Sequence, residues 1–110
     1  MFITVKYGAE GFHYWPEGSG SLEPYLSNLH RHIFHFTVGL EVEHHDREIE
    51  FINLRRELLH HSQQLLEKPV TKSCEDLVVD IISYLKNKYE RRKCFVWVEE
   101  DGENGALDIV

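Results

Sequence analysis

Two histidines that flank a single residue are the part of this chain best suited to chemistry. The segment His30-Arg31-His32 opens a stretch, His32 to Glu43, whose alternation predicts a β-strand. Residues two apart on a strand project to the same face, so the two histidines share a face. The residues that continue this face are apolar: Phe34, Phe36, Val38, Leu40 and Val42. The sequence therefore predicts two imidazoles at the edge of the core, which is half of a metal site.

A metal site needs a third ligand, and His13 is the best candidate. It lies near the end of a predicted first strand, which is expected to pair with the strand that follows His30. Three neutral imidazoles with one open position are typical of catalytic zinc, and imidazole suits Zn²⁺. The alternative is that all three are ordinary surface or hydrogen-bonded histidines, and the pattern by itself leaves both interpretations open.

Two further residues are candidates for a role in chemistry. His61 interrupts the apolar stripe of a predicted helix, which suits a general base or proton relay. The pattern by itself favours the alternative, a core histidine bonded to a backbone carbonyl. Glu100 ends an apolar strand face, where a carboxylate can anchor an N–H-rich heterocycle or simply mark the exit into a loop.

Three other conspicuous residues are interpreted as structural. Glu50 begins the first helix, where the helix dipole favours a carboxylate. Cys74 falls in the first turn of the second helix, where a thiol can have a lowered pKa, but the sequence puts no histidine beside it. Trp15 is expected in the core or at an interface rather than as a stacking platform.

Length and composition restrict the class of protein. With 110 residues, 42% of them hydrophobic, the chain suits a single domain over residues 1–110. The formal net charge of −7 argues against nucleic acid as the main partner. No run approaches the length of a membrane span, and Met1–Gly8 does not have the shape of a signal peptide. Two cysteines make no disulfide framework, so we expect a reducing, cytoplasmic setting.

The remaining patterns predict the order β-β-α-α-β-β. The first strand is expected over Phe2–Tyr7, with Phe12–Trp15 continuing it past a glycine bulge, and the last two over Cys94–Glu100 and Ala106–Val110. The first helix is predicted over Glu50–Glu67, and its apolar stripe is expected to include Phe51, Leu54, Leu58, His61 and Leu65. The second begins at Ser73, with Asp76 completing a capping box. The simplest arrangement is an α+β domain, an antiparallel four-stranded sheet with both helices on one face.

Several short motifs, taken in order, resemble the 6-pyruvoyltetrahydropterin synthase / 6-carboxytetrahydropterin synthase family. His13-Tyr14-Trp15-Pro16 is similar to the family's first zinc histidine with its proline, and Leu29-His30-Arg31-His32 to its Leu-His-Gly-His pair. Glu50-Phe51 and Ser73-Cys74-Glu75 resemble the segments that open its two helices. The stretch from Val96 to Asp101 resembles the Val-x-Val-x-Glu-Thr strand, whose glutamate holds the pterin or purine-like ring.

The resemblance covers nearly the whole chain and implies a tunnelling fold. In that fold, β-β-α-α-β-β units assemble into a ring-shaped barrel, a homo-oligomer such as a trimer or hexamer, with sites between subunits. It implies Zn²⁺ on His13, His30 and His32, and a pterin- or purine-like ligand held by Glu100. The activity implied is that of a lyase on a dihydroneopterin triphosphate-like substrate, with His61 moving protons.

The chain also departs from the family pattern. The family's catalytic cysteine precedes the histidine pair, but the segment Glu23–Asn28 has none and offers only Tyr25 and Ser27. Arg31 stands where the family has glycine, and no Asp-His pair follows the first helix. Three hypotheses are therefore carried forward. They are a zinc enzyme, a non-catalytic pterin- or nucleotide-binding module on the same fold, and an oligomeric scaffold with solvated histidines.

Overall fold

A computed structural model describes all 110 residues as a four-stranded antiparallel sheet with two helices. The strands are β1 (Phe2–His13), β2 (His30–Glu41), β3 (Cys94–Glu100) and β4 (Asn104–Ile109), and the helices are α1 (Phe51–Leu65) and α2 (Cys74–Lys88). The sheet order is β1-β2-β3-β4, and every neighbouring pair is antiparallel. The predicted α+β class and element order are therefore confirmed. Neither helix combines the length and the apolar character that crossing a membrane requires.

The ribbon of β1 and β2 is longer and more regular than predicted. The two strands pair residue for residue from Phe2 opposite Glu41 to His13 opposite His30. The predicted glycine bulge is therefore wrong, and Tyr14 and Trp15 lie beyond the strand. Gly11 serves packing instead, because a Cβ atom there would lie 3.0 Å from Cδ2 of Leu66. The second strand begins and ends two residues earlier than predicted, but its alternation has the predicted phase.

The core lies between one face of the sheet and the two helices. Alternate residues of β1 and β2 are buried there: Val5, Tyr7, Ala9, Phe34, Phe36, Val38 and Leu40. The first helix packs on β1, and the second packs on β3 and β4 with a buried stripe of Leu77, Val78, Ile81 and Leu85. Burial of each large apolar side chain contributes about 1.5–3 kcal/mol, so this layer is the main source of stability and fixes the strand faces.

The buried stripe of α1 differs from the predicted one at both ends. Its members are Leu54, Leu58 and Ser62, and Leu66 continues it just beyond the helix. Phe51 is 54% exposed, and His61 is only half-buried, so including both in the stripe was wrong. The reason is a polar pair: Ser62 Oγ lies 2.8 Å from Tyr7 Oη inside the core. A hydroxyl that finds such a partner can replace an apolar residue at a buried position.

The starts of the helices agree with the capping predictions. The side chain of Glu50 accepts hydrogen bonds from the N–H groups of Ile52 and Asn53, at 3.0 and 2.8 Å. The second helix opens with the predicted capping box of Ser73 and Asp76. Between the helices, Val70 forms a parallel bridge with His13, which holds this segment against the end of β1. The start of α2 is thereby brought next to the first histidine.

Candidate metal centre

Three histidines converge where β1 ends and β2 begins. Antiparallel pairing puts His13 directly opposite His30, and His32 lies on the same face two residues along β2. The ring centroid of His13 is 4.5 Å from that of His30 and 4.9 Å from that of His32. One ligand atom from each ring lies within 4.8 Å of the other two. The structure thus brings together the three residues that the sequence singled out, close enough to hold one metal ion.

Each of the three rings is oriented by a hydrogen bond at Nδ1. His13 donates to the carbonyl oxygen of Lys72 at 2.8 Å, and His30 donates to that of Asn28 at 2.7 Å. His32 donates to Oδ2 of Asp101 at 2.6 Å. Carbonyl and carboxylate oxygens only accept, so each neutral ring carries its proton on Nδ1 and a lone pair on Nε2. All three histidines therefore have the tautomer that ligates a metal through Nε2.

Two of the three rings have an Nε2 atom without a hydrogen-bond partner within the protein. Nε2 of His13 and Nε2 of His32 are both buried and unpaired. The carboxylate oxygens of Glu100 lie 3.5 Å from the first nitrogen and 3.6 Å from the second, too far for a good hydrogen bond. Unpaired buried polar atoms cost free energy. An ion bound between these nitrogens would remove that cost, so this donor set fits Zn²⁺.

The protonation of His13 also suits a ligand. Burial lowers the pKa of His13 below its ordinary value of 6.5, and the bond to Lys72 and the nearby charge of Glu100 only partly oppose this. The neutral imidazole that a metal requires is therefore the favoured form at this position.

A cavity of about 550 Å³ opens beside the histidines. Its volume is in the range of small-molecule sites. It is lined by His13, His30 and Glu100, by Tyr14 and Trp15, and by residues at the start of α2. Trp15 is 46% exposed in this lining, so of the two expected locations, the core or an interface, the core is wrong. The carboxylate of Glu100 borders both the cavity and the unpaired nitrogens of His13 and His32.

Cys74 also lines the cavity, which the sequence did not indicate. Its thiol is buried, and burial together with the neighbouring Glu100 raises its pKa to about 12. A thiol that stays protonated is a poor nucleophile. The position of Cys74 in the first turn of a helix therefore does not activate it.

The other candidate residues lie apart from this centre. His61 sits between the two helices with its ring stacked 4.2 Å from that of Tyr84, and it does not line the cavity. Tyr25 and Ser27 belong to a short 3-10 helix, Pro24–Ser27, and neither lines the cavity. Arg31 points to the opposite face of the sheet, where it pairs with Glu10 at 3.0 Å. A large cation is therefore accommodated between the two histidines without entering the site.

Sequence reasoning missed the groups that orient the rings. Asp101 was given no role in the site, although its position directly after Glu100 was the available signal. Lys72 and Asn28 act through their backbone carbonyls, which leave no trace in side-chain patterns. These partners come from three separate segments, and only the folded chain brings them together.

No family model and no curated protein matches this chain. Fold and site geometry are therefore the basis for assigning a function. The combination to be explained is three converging imidazoles, a bordering carboxylate and an adjacent cavity.

Proposed function

We propose that this chain is a zinc protein similar to 6-pyruvoyltetrahydropterin synthase and 6-carboxytetrahydropterin synthase, acting on a pterin- or purine-like heterocycle. The observation that carries the proposal is the common orientation of His13, His30 and His32. Each has a hydrogen-bond acceptor at Nδ1, which leaves all three Nε2 atoms available to one ion. Three imidazoles and one open position are the ligand set of catalytic zinc sites.

The chain's own residues supply binding and orientation for this function. Zn²⁺ bound there would act as a Lewis acid on a hydroxyl or carbonyl of the substrate side chain. Glu100 borders the cavity, where its carboxylate accepts hydrogen bonds from the N–H groups of the ring. Trp15 and Tyr14 add aromatic surface to the same cavity. His61 is the candidate for proton transfer, although it lies outside this lining.

Elemental analysis of the purified protein tests the metal. We expect one zinc per chain in the wild type and little in His13→Ala and His32→Ala. His35→Ala is the matched control, because His35 is also on β2 but on the exposed face. Its zinc content should equal that of the wild type. A wild type without zinc, or equal zinc in His13→Ala, would refute the centre.

Mass spectrometry and turnover assays test the ligand and the chemistry. A pterin or purine derivative should be released when the protein is denatured, and Glu100→Gln should retain less of it with zinc unchanged. For the enzyme, a dihydroneopterin triphosphate-like substrate should be consumed only by the zinc-loaded protein, and His61→Gln should slow this. Consumption without zinc, or none by zinc-loaded protein, would argue against the synthase-like activity.

A second candidate function is binding without chemistry. It is favoured by the environment of Cys74, the cavity's cysteine, whose pKa of about 12 leaves no thiolate to act. His61, stacked on Tyr84, is likewise outside the cavity. Tight retention of an unmodified pterin or nucleotide by zinc-loaded protein, with no product formed, distinguishes this module from the enzyme.

We propose in addition that copies of the chain assemble into a barrel, a trimer or hexamer. Both outer strands, β1 and β4, have an edge without a neighbouring strand, and pairing them between copies would remove these edges. The sheet face opposite the helices also exposes apolar side chains, among them Phe2, Trp97, Leu107 and Ile109. Light scattering after size-exclusion chromatography tests this. A monomer at micromolar concentration would contradict it.

A further inference from the structure

Asp101 forms a clamp on the start of β2. Its carboxylate makes two contacts: Oδ2 accepts from Nδ1 of His32 at 2.6 Å, and Oδ1 accepts from the backbone N–H of Ile33 at 2.9 Å. Its own N–H donates to the carbonyl oxygen of Ile33 at 2.8 Å. The residue has φ of +53°, in the left-handed region that aspartate tolerates better than most residues. Each carboxylate oxygen thus accepts a hydrogen bond, one from His32 and the other from Ile33, which are consecutive residues.

The first contact determines which nitrogen of His32 carries the proton. An ionised carboxylate accepts and cannot donate, so the proton lies on Nδ1. Nε2 is left as a lone pair, which is buried without a hydrogen-bond partner and belongs to the three-histidine cluster. A tautomer with the proton on Nε2 would put a donor where a metal must bind.

The partner of His32 differs in kind from those of the other two histidines. His13 and His30 are oriented by backbone carbonyls, which are neutral dipoles. His32 is oriented by a full negative charge at a shorter distance. A carboxylate in this position makes the imidazole a stronger metal ligand, and removing such a partner weakens metal binding about 10- to 100-fold.

We propose that Asp101 is a positioning residue of the metal centre. It holds His32 in the Nδ1-protonated tautomer and strengthens donation from Nε2 to the ion. The second part rests on the proposed zinc function, whereas the first applies to the metal-free chain. The two parts are therefore tested by separate measurements.

The most informative variant is Asp101→Asn. An amide has the same shape but cannot accept from both His32 and Ile33. If its oxygen faces Ile33, its NH₂ group faces Nδ1 of His32 and favours the tautomer with the proton on Nε2. If it is turned the other way, two donors meet at Ile33 and the backbone bond is lost. In either orientation, the variant therefore loses one of the two hydrogen bonds that the Asp101 carboxylate accepts.

Tautomers are read from long-range ¹H–¹⁵N spectra of the metal-free protein at a pH where the rings are neutral. We expect Nδ1–H for His32 in the wild type and a shift toward Nε2–H in Asp101→Asn. The zinc Kd, measured by competition with a chromophoric chelator, should rise about 10- to 100-fold in the variant. The visible absorption spectrum of the Co²⁺-substituted variant should also differ from that of the Co²⁺-substituted wild type. Asp101→Glu, which keeps the charge, should recover part of the affinity.

Asp108→Asn is the matched control. Asp108 is an exposed carboxylate on β4 whose Oδ1 accepts from the N–H of Ile109, and it touches no histidine. The same loss of charge there should leave the tautomer of His32 and the zinc Kd unchanged within about twofold, since distant exposed charges are screened.

Two results would overturn the proposal. One is an Nε2–H tautomer for His32 in the metal-free wild type, which is readable even if Asp101→Asn does not fold. The other is an unchanged tautomer and zinc Kd in a folded Asp101→Asn. If the wild type binds no zinc, the proposed function fails, and the role of Asp101 is then decided by the tautomer alone.

Discussion

The Nδ1–H group of His13 donates to the carbonyl oxygen of Lys72 across 2.8 Å, and this bond joins the end of β1 to the segment that leads into α2. Two backbone bonds reinforce the junction: Tyr14 donates to Val70, and Val70 donates to Phe12. A side chain expected to ligate metal is therefore oriented by a segment without regular structure. If the three histidines bind a metal, the order of this segment should therefore affect the binding.

Zinc should slow amide hydrogen exchange at Val70. Opening the segment between the helices frees His13 from Lys72, so local opening competes with metal binding. With free zinc at about 100 times its Kd, exchange at Val70 should slow about 100-fold if opening requires release of the ion. The amide of Val110, which donates to Cys94 in the sheet, is the internal control. Equal protection of Val70 with and without zinc would contradict the coupling.

The metal-free protein should lose stability as the pH falls below about 6.5, in part through His13. Burial lowers the pKa of this histidine in the folded state, so the unfolded chain binds its proton first. Between the folded pKa and the ordinary value, the unfolded state binds more protons, and stability rises with pH. In the presence of a chelator, Tm should therefore decline less steeply below that pH for His13→Gln than for the wild type. If Tm falls equally steeply with pH in both proteins, His13 does not contribute to the loss of stability in acid.

Local patterns in the sequence were enough to predict several features of the fold. The alternation of β2 correctly identified the buried face, and Ser73 with Asp76 correctly identified the start of α2, because each depends on residues close in sequence. The same alternation put His30 and His32 on the core face. His13 could be added because antiparallel pairing of two adjacent strands is a simple geometric expectation.

The features that were missed depend on contacts between distant parts of the chain. His32 and Asp101 are 69 residues apart, and Tyr7 and Ser62 are 55 apart. Gly11 appeared to mark a bulge, but its role is to leave room for Leu66, which follows α1. A periodicity argument weighs each residue by its polarity alone. It therefore cannot tell that Ser62 has a partner that makes its burial favourable.

Glu50 should stabilise the fold through its ionised carboxylate at the start of α1. The N–H groups of Ile52 and Asn53 lower the pKa of this side chain below its ordinary value of 4.5. A lowered carboxyl pKa gives stability that is present above that value and lost as the pH falls through the folded pKa. Glu50→Gln should therefore have a lower Tm than the wild type at neutral pH, and the difference should shrink in acid. A pH-independent difference would indicate a role unrelated to charge.

The hydroxyl pair of Tyr7 and Ser62 should show strong coupling in a double-mutant cycle. Ser62→Ala leaves the buried Tyr7 Oη without its partner, which should lower the free energy of unfolding by about 1–3 kcal/mol. Tyr7→Phe should cost less, because the remaining Ser62 hydroxyl can donate to the carbonyl four residues earlier in α1. The double variant should be less destabilised than the sum of the single variants, since no orphaned hydroxyl remains. Urea unfolding gives the free energy of unfolding of the wild type, the two single variants and the double variant.

Zinc content is the control for this cycle. Neither Tyr7 nor Ser62 lines the cavity beside the histidines, so all four proteins should contain the same amount of zinc. Additive losses would show that the two hydroxyls do not depend on each other.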